Sequence, residues 1–434
     1  MPYNIAMVSD FFYPQPGGVE LHVYQLSQRL KQRGHSVVII THAYDSRTGV
    51  RILTNGIKVY YVPFFVLYRN STFPSVFSAF PILRNIFIRE NIDIVHGHGS
   101  LSSLCHEAIL HARTMGMKTV FTDHSLFGFA DAGSIAGNKA LKFTLSDVGH
   151  VICVSHTCKE NTVLRASLDP SIVSVIPNAV VSKAFTPDPT RADPNYITIV
   201  VISRLYPNKG ADLLTVIIPR ICALHPRVKF LIAGSGPKEI DLQQMRERYR
   251  LQERVELIGS IRHEEVRDLM VTGNIYLHPT LTEAFGTVIV EAASCGLLVV
   301  TTDVGGIPEV LPSHMTVFAS PSEDSLVDST MKAIAILEKK EVDPTTFYNE
   351  IKGMYKWSEV ARRTEKVYDS INEESLNEPL LDRLAKFYAC GEWAGKLFVI
   401  CVCVDVMLYA ILELFWPRHT IDRVKPWPRV KSGE

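Results

Sequence analysis

Two acidic residues, Glu283 and Glu291, stand eight positions apart in the stretch LHPTLTEAFGTVIVEAASCG at 277–296. Glu283 follows Pro279 in a turn-like sequence. Glu291 lies between Val290 and Ala292, in an apolar segment expected to be helical over 284–295. A carboxylate in that company is costly unless something hydrogen-bonds it. Ribose hydroxyls would do so, as they do for acidic residues in dinucleotide folds. Eight residues of helix separate the two by about 12 Å. Glycosidase pairs stand only about 5–9.5 Å apart. The spacing therefore favours two grips on one extended ligand over acid–base hydrolysis.

Cations stand close by in type and pattern. SRLYPNKG at 203–210 places Arg204 and Lys209 in a loop entering a helix. A guanidinium fork and an ammonium beside a helix N-terminus make a diphosphate clamp. GSGP at 234–237 offers Gly234 and Gly236 in a second turn, a weaker signal. In the first half, DFFYPQPGGVE at 10–20 brings Gly17, Gly18 and Glu20 to the opening of a helix. Glycines there let a phosphate or another backbone come close. TDHS at 122–125 offers His124 for a hydroxyl, with Asp123 expected to orient its imidazole. His96 and His98 are expected in a loop lining the same cleft. Two histidines without a third ligand are a weak metal signal. No two Asp lie two apart, so no D-x-D motif holds a cation against a diphosphate. No metal and no cofactor are expected.

Regular elements must hold these loops. Strands are expected at 5–9, 37–41, 58–62, 94–96, 119–122, 151–154 and 173–176, with helices at 19–33 and 101–115. The proline-rich stretch 185–195 reads as a linker. Strands resume at 197–203, 228–233, 255–258, 275–277 and 298–302. Strands alternating with helices imply parallel sheets covered on both faces. The fold class is α/β, with two Rossmann-like doubly wound domains, 1–185 and 186–370, facing a cleft. Ligands of such sheets bind beyond the carboxyl ends of the strands. Forty-five basic residues balance forty-five acidic ones, so no basic field is available for nucleic acid. The eight scattered cysteines form neither a disulfide framework nor a zinc pattern.

The C-terminal part differs. Residues 397–416 form an apolar run broken only by Asp405 and Glu413, about 30 Å long as a helix. A transmembrane helix is expected at 396–416, after a linker at 371–395 and before a short tail at 417–434. The missing signal peptide argues for cytosolic domains with the tail across the membrane. Three basic residues precede the run and five follow it, which opposes that orientation. Asp405 is expected to face another helix or a polar lipid group, and so to imply a membrane partner.

Together these motifs resemble the retaining glycosyltransferases of family 4, which have the GT-B fold. The segments that carry the likeness are GGVE at 17–20, the His124 stretch, IPNAV at 176–180, Arg204 with Lys209, GSGP at 234–237, and Glu283 with Glu291. Within that group, MVSDFFYP at 7–14, FTDHSLFGFAD at 121–131 and VEAASCGL at 290–297 resemble subunits that transfer N-acetylglucosamine from UDP-GlcNAc to phosphatidylinositol. That transfer is the first step of glycosylphosphatidylinositol (GPI) anchor synthesis on the endoplasmic reticulum. The resemblance implies that Arg204 and Lys209 hold the diphosphate and Glu291 the ribose. It gives the sugar to Glu283, His124 and the backbone of Ala284, Phe285 and Gly286. Gly18 would back the diphosphate or the acceptor, and Gly17, Glu20, His98 and Asp123 would face the acceptor. It also implies partner membrane subunits and retention of anomeric configuration. Rival readings are a family 4 enzyme with another lipid acceptor and a scaffold that has lost turnover. A nicotinamide oxidoreductase is disfavoured by the missing G-x-G-x-x-G.

Overall fold

The computed structural model describes residues 2–15, 17–68, 70–75, 77–339, 341–371 and 378–424. Part of the expected linker and the tail beyond 424, with Lys425, Arg429 and Lys431, lie outside the described residues. The chain forms two compact units. The first comprises Met1–Cys153, Lys159–Ile176 and Ala361–Glu434; the second comprises Val154–Cys158 and Pro177–Val360.

The first unit is built on β1 (Asn4–Val8), β2 (Ser36–His42), β3 (Gly49–Ile52), β4 (Lys58–Val62), β7 (Ile94–His98), β8 (Lys118–Asp123), β9 (His150–Cys153) and β10 (Val173–Val175). Between β4 and β7 a separate short hairpin joins β5 (Val66–Tyr68) to β6 (Ser71–Thr72). The main sheet runs β10-β9-β8-β7-β1-β2-β4-β3. All its pairings are parallel except β3 with β4. Helices α1 (Gly18–Gln32), α2 (Phe80–Arg89), α3 (Ser103–Thr114), α4 (Ala132–Leu145) and α5 (His156–Ala166) connect the strands, α5 bridging the unit boundary. One face of the sheet packs Val8, Ile40, Val95, Phe87 and Ala108 into a continuous core. Strands buried on both faces read as unbroken apolar runs, which is why β1, β2 and β4 were legible.

The second unit contains β11 (Ile197–Ile202), β12 (Val228–Ala233), β13 (Val255–Gly259), β14 (Ile275–His278), β15 (Leu298–Thr302) and β16 (Thr316–Ala319). Their order is β13-β12-β11-β14-β15-β16, parallel throughout. Order reverses at β11, whose neighbours are β12 and β14. Helices α6 (Ala211–Leu224), α7 (Glu239–Arg248), α8 (His263–Met270), α9 (Thr287–Ser294), α10 (Glu323–Glu338) and α11 (Pro344–Met354) complete it, and α12 (Trp357–Ser370) leads out.

After α12 the stretch expected as a linker contains a helix, α13 (Leu380–Tyr388), followed by α14 (Ala394–Phe415). Helix α14 is the one described helix long and apolar enough to cross a membrane. It packs on the first unit. Asp405 is fully buried, accepting from Thr114 Oγ1 and lying 2.7 Å from His111 Nδ1. Of the partners expected for Asp405, another helix or a polar lipid group, the structure gives it a helix, α3 of the same chain. The chain reverses between α13 and α14 and returns the acid to α3. Gly395 permits that reversal, since a Cβ there would stand 2.1 Å from the Tyr388 carbonyl oxygen.

Candidate active site

In the second unit, the loop after β11 (203–210) and the loop after β14 (279–286) leave adjacent strands at their carboxyl ends. They are tied by the Leu281 N–H donating to the Asn208 carbonyl at 2.9 Å. Gly210 has φ 75°, and a Cβ there would lie 1.8 Å from the Pro279 carbonyl oxygen. No side chain fits between the loops. Lys209 Nζ donates to Glu283 Oε2 at 2.6 Å, and His278 Nε2 is 3.6 Å from the same oxygen. Burial by itself would raise the Glu283 pKa. His278 and Lys209 outweigh it and hold the carboxyl down at about 2. Glu283 is therefore an anion with its charge already compensated.

Arg204 is exposed on the β11 loop, its guanidinium 5.9 Å from the Tyr206 ring centroid. Beside it, Gly234 after β12 packs its Cα on the Ser203 carbonyl; a Cβ would approach that oxygen to 1.8 Å. Gly236 meets the Leu205 carbonyl in the same way. Arg204, Lys209, Gly234, Gly236 and Glu283, all expected at the donor site, thus gather at the ends of three neighbouring strands, β12, β11 and β14. The Glu283 and Ala284 carbonyls accept from the Gly306 N–H and the Ser155 hydroxyl, which fixes the loop carrying Ala284, Phe285 and Gly286.

Glu291 occupies the middle of α9 and is buried. The expected helix over 284–295 is corrected, because Gly286 takes a left-handed conformation and α9 begins at Thr287. Glu283 therefore belongs to a loop, and the 12 Å separation along a single helix does not apply. Burial pushes the Glu291 carboxyl up to about 8. His263 Nε2 stands 3.9 Å from Oε1, beyond hydrogen-bond range. A buried acid lined up with hydroxyl donors would regain its ordinary ionisation.

In the first unit the strand order reverses at β1, between β7 and β2. Gly17 and Gly18 are exposed at the start of α1, beyond the end of β1. Glu20 folds back over Gly17, where a Cβ would meet its carboxylate at 2.1 Å. His98 ends β7, and His124 follows β8. His96 and His98 were expected in a loop; both are buried within β7. His96 bonds Tyr368 Oη at 2.8 Å and Thr122 Oγ1 at 2.7 Å, which makes it a core histidine. His98 Nδ1 is 3.3 Å from His124 Nε2.

Asp123 was expected to orient His124. Its carboxylate goes to Ser100, Ser125, Thr162 and Arg165, the last at 3.1 Å. His22 of α1 was missed: its ring lies edge-on to His124, centroids 4.6 Å apart. A histidine inside an amphipathic helix gives no signal of which fold face it meets. Burial, with repulsion from His96, pushes His124 down to about 3, and His98 is lowered by the same causes. Neutral imidazoles of this kind can donate to and accept from hydroxyls. His22, His98 and His124 bring their ligand atoms within 4.8 Å of one another, a set that could also hold a metal ion.

Comparison with known proteins adds to this geometry. Residues 42–131 match the family described as PIGA (GPI anchor biosynthesis), and residues 182–343 match glycosyl transferases group 1. The phosphatidylinositol N-acetylglucosaminyltransferase gpi3 subunit of Schizosaccharomyces pombe is 66% identical, over 96% of this chain and 91% of its own. The corresponding phosphatidylinositol N-acetylglucosaminyltransferase subunit of Homo sapiens is 52% identical, over 97% of this chain and 87% of its own. Among solved structures, a sucrose-phosphate synthase from Thermosynechococcus elongatus aligns with TM-score 0.69 at 19% identity, over 85% of this chain and 98% of its own. Anabaena Alr3699/HepE in complex with UDP aligns with TM-score 0.67 at 17% identity, over 85% of this chain and all of its own. These structures share the GT-B fold of two parallel-sheet units.

Proposed function

This chain belongs to the gpi3 family of phosphatidylinositol N-acetylglucosaminyltransferase subunits, and on that footing we propose that it transfers N-acetylglucosamine from UDP-GlcNAc to phosphatidylinositol, opening GPI-anchor synthesis. It is a glycosyltransferase. The second unit takes the donor. The observation that carries this reading is the convergence of Arg204, Lys209 and Glu283 where the strand order reverses at β11. Arg204, Lys209 and the N-terminus of α6 would neutralise the diphosphate. Glu291 would accept from the ribose hydroxyls, which supply the donors it lacks in the fold. Glu283 and the 284–286 backbone would grip the sugar. When the donor enters, its diphosphate competes for Lys209, and Glu283 is freed to accept from sugar hydroxyls.

The first unit takes the acceptor, with Gly17, Gly18, Glu20, His98 and His124 at the ends of β1, β7 and β8. No metal is required in this scheme, because protein cations carry the diphosphate charge. Transfer with retention leaves the departing diphosphate to take the acceptor proton, and the protein supplies position and charge stabilisation.

Relatives of the chain are named as subunits. We propose that it works with further membrane subunits on the cytosolic face of the endoplasmic reticulum, attached through α14. Membranes containing the chain, given UDP-GlcNAc and phosphatidylinositol, should form the glycolipid. Glycosylation of a different lipid under those conditions would overturn the acceptor assignment.

A further inference from the structure

Four histidine rings gather in the first unit: His22, His96, His98 and His124. Three of them bring ring nitrogens together. His98 ends β7, His124 follows β8, and His22 lies near the start of α1. The ligand nitrogens of these three lie within 4.8 Å of one another. His98 Nδ1 and His124 Nε2 are 3.3 Å apart. His96 is committed elsewhere, since Tyr368 and Thr122 occupy its two nitrogens. Among the described residues this is the one such group of His, Cys, Asp or Glu ligands.

Three imidazoles with one open position are a recurrent zinc arrangement. Zinc binds imidazole nitrogen at about 2.0–2.1 Å in tetrahedral geometry, which sets ligand nitrogens about 3.3–3.4 Å apart. The His98 and His124 nitrogens already stand at that separation. The same geometry places the rings of a site about 5 Å apart between centroids. Here the distances are 4.6 Å for His22 and His124, 5.5 Å for His22 and His98, and 5.6 Å for His98 and His124. At most a small side-chain rotation brings in the His22 nitrogen. The tautomer fits as well. Ligation through His98 Nδ1 puts its proton on Nε2, where Met7 Sδ stands 3.5 Å away as a weak acceptor. A partner on the far nitrogen orients a ligating histidine. The neighbouring Asp123 carboxylate is held by Ser100, Ser125, Thr162 and Arg165, so the ligand set is nitrogen only. His22 and His98 are buried and His124 is half-buried, which leaves the His124 side for a fourth ligand.

We propose that His22, His98 and His124 form a zinc site on the acceptor side of the first unit, and that zinc there blocks transfer. Coordination uses the lone pairs of His98 and His124 that acceptor hydroxyls would otherwise meet, so metal and acceptor exclude each other. In the scheme above transfer itself needs no ion, and the site acts as a brake that fills as free zinc rises. The block rests on the acceptor placement proposed above; the metal site rests only on the three rings.

The binding test uses the full chain in detergent, purified without a histidine tag and dialysed against EDTA. Cobalt(II) chloride should bind and give the strong visible absorption of a tetrahedral ion, and zinc chloride should abolish it. Absence of a tetrahedral spectrum in the unaltered chain would overturn the site. Losing an outer partner already costs a metal site about 10–100-fold in affinity, so His22→Asn, which removes a ligand, should weaken zinc binding at least tenfold. Unchanged zinc affinity in the folded variant would equally overturn the site. The transfer test adds zinc chloride to membranes carrying the chain. Inhibition should be relieved by raising phosphatidylinositol and not by raising UDP-GlcNAc. His22→Asn should keep its transfer and need at least tenfold more zinc for the same inhibition. Stimulation by zinc, or inhibition relieved by UDP-GlcNAc, would overturn the block. Zinc bound through His22 with inhibition that neither substrate relieves would support the site and overturn the acceptor placement of His98 and His124 instead.

Discussion

Lys209 and Glu283 meet at 2.6 Å across the point where the second sheet reverses its strand order. One comes from the loop after β11 and the other from the loop after β14. The pair bridges the place where such sheets bind ligands. It also keeps two opposite charges compensated.

Lys209→Ala and Glu283→Ala should each lower transfer by about 10²–10³-fold, the usual effect of removing one group that stabilises developing charge. Both proteins should remain folded and membrane-bound. Glycolipid formation by membranes carrying each variant measures this. Near-normal turnover in either would remove the residue from the site.

Glu291 gives a pH signature. Its carboxyl stands at about 8 in the fold against an ordinary 4.5. The folded form therefore holds more protons than the unfolded chain between those values. Stability should fall as pH rises from about 4.5 to about 8 and level off beyond. Hydroxyls donating to Glu291 favour the carboxylate, so binding of UDP near pH 7 should release a proton. Calorimetry in buffers of different ionisation enthalpy would detect it. Glu291→Gln should abolish the release and weaken binding about 10–100-fold, the loss of hydrogen bonds to a charged group.

The buried Asp405 and His111 pair makes a stability prediction. Asp405→Leu strands His111 and should cost about 3–5 kcal/mol, the range for breaking a buried pair from one side. The double change Asp405→Leu with His111→Leu should recover more than half of that. Thermal unfolding of the detergent-solubilised proteins reads both. A single variant as stable as the parent would show that the pair contributes nothing.

Gly210→Ala should disturb the donor site without touching a charged group. The added Cβ meets the Pro279 carbonyl, and φ 75° disfavours any L side chain. Backbone strain of this kind costs about 1–3 kcal/mol. Donor affinity should fall while Lys209 and Glu283 are intact, as UDP titration would show.

In the proposed scheme Arg204, Lys209 and the α6 N-terminus carry the diphosphate charge, so chelation should leave transfer unchanged. Activity after dialysis against EDTA, with and without added divalent ions, checks this. A loss restored by zinc would assign a metal to His22, His98 and His124.

The two largely parallel sheets could be read from the order of amino acids alone. Strands such as β1, β11 and β15 are buried on both faces, so their apolar runs are unambiguous. Gly-rich and charged loops after those strands then follow by position. Two edge strands, β3 and β16, escaped; β3 is only four residues long and exposed along its whole length. Which side chains share a face emerged only once the chain was folded. The Asp123 carboxylate bonds Arg165, and His22 reaches His124 from a helix about a hundred residues earlier. The same holds for α14, whose composition says membrane without saying how. Its orientation depends on Asp405 finding His111, a contact 294 residues apart in the chain that no local pattern encodes.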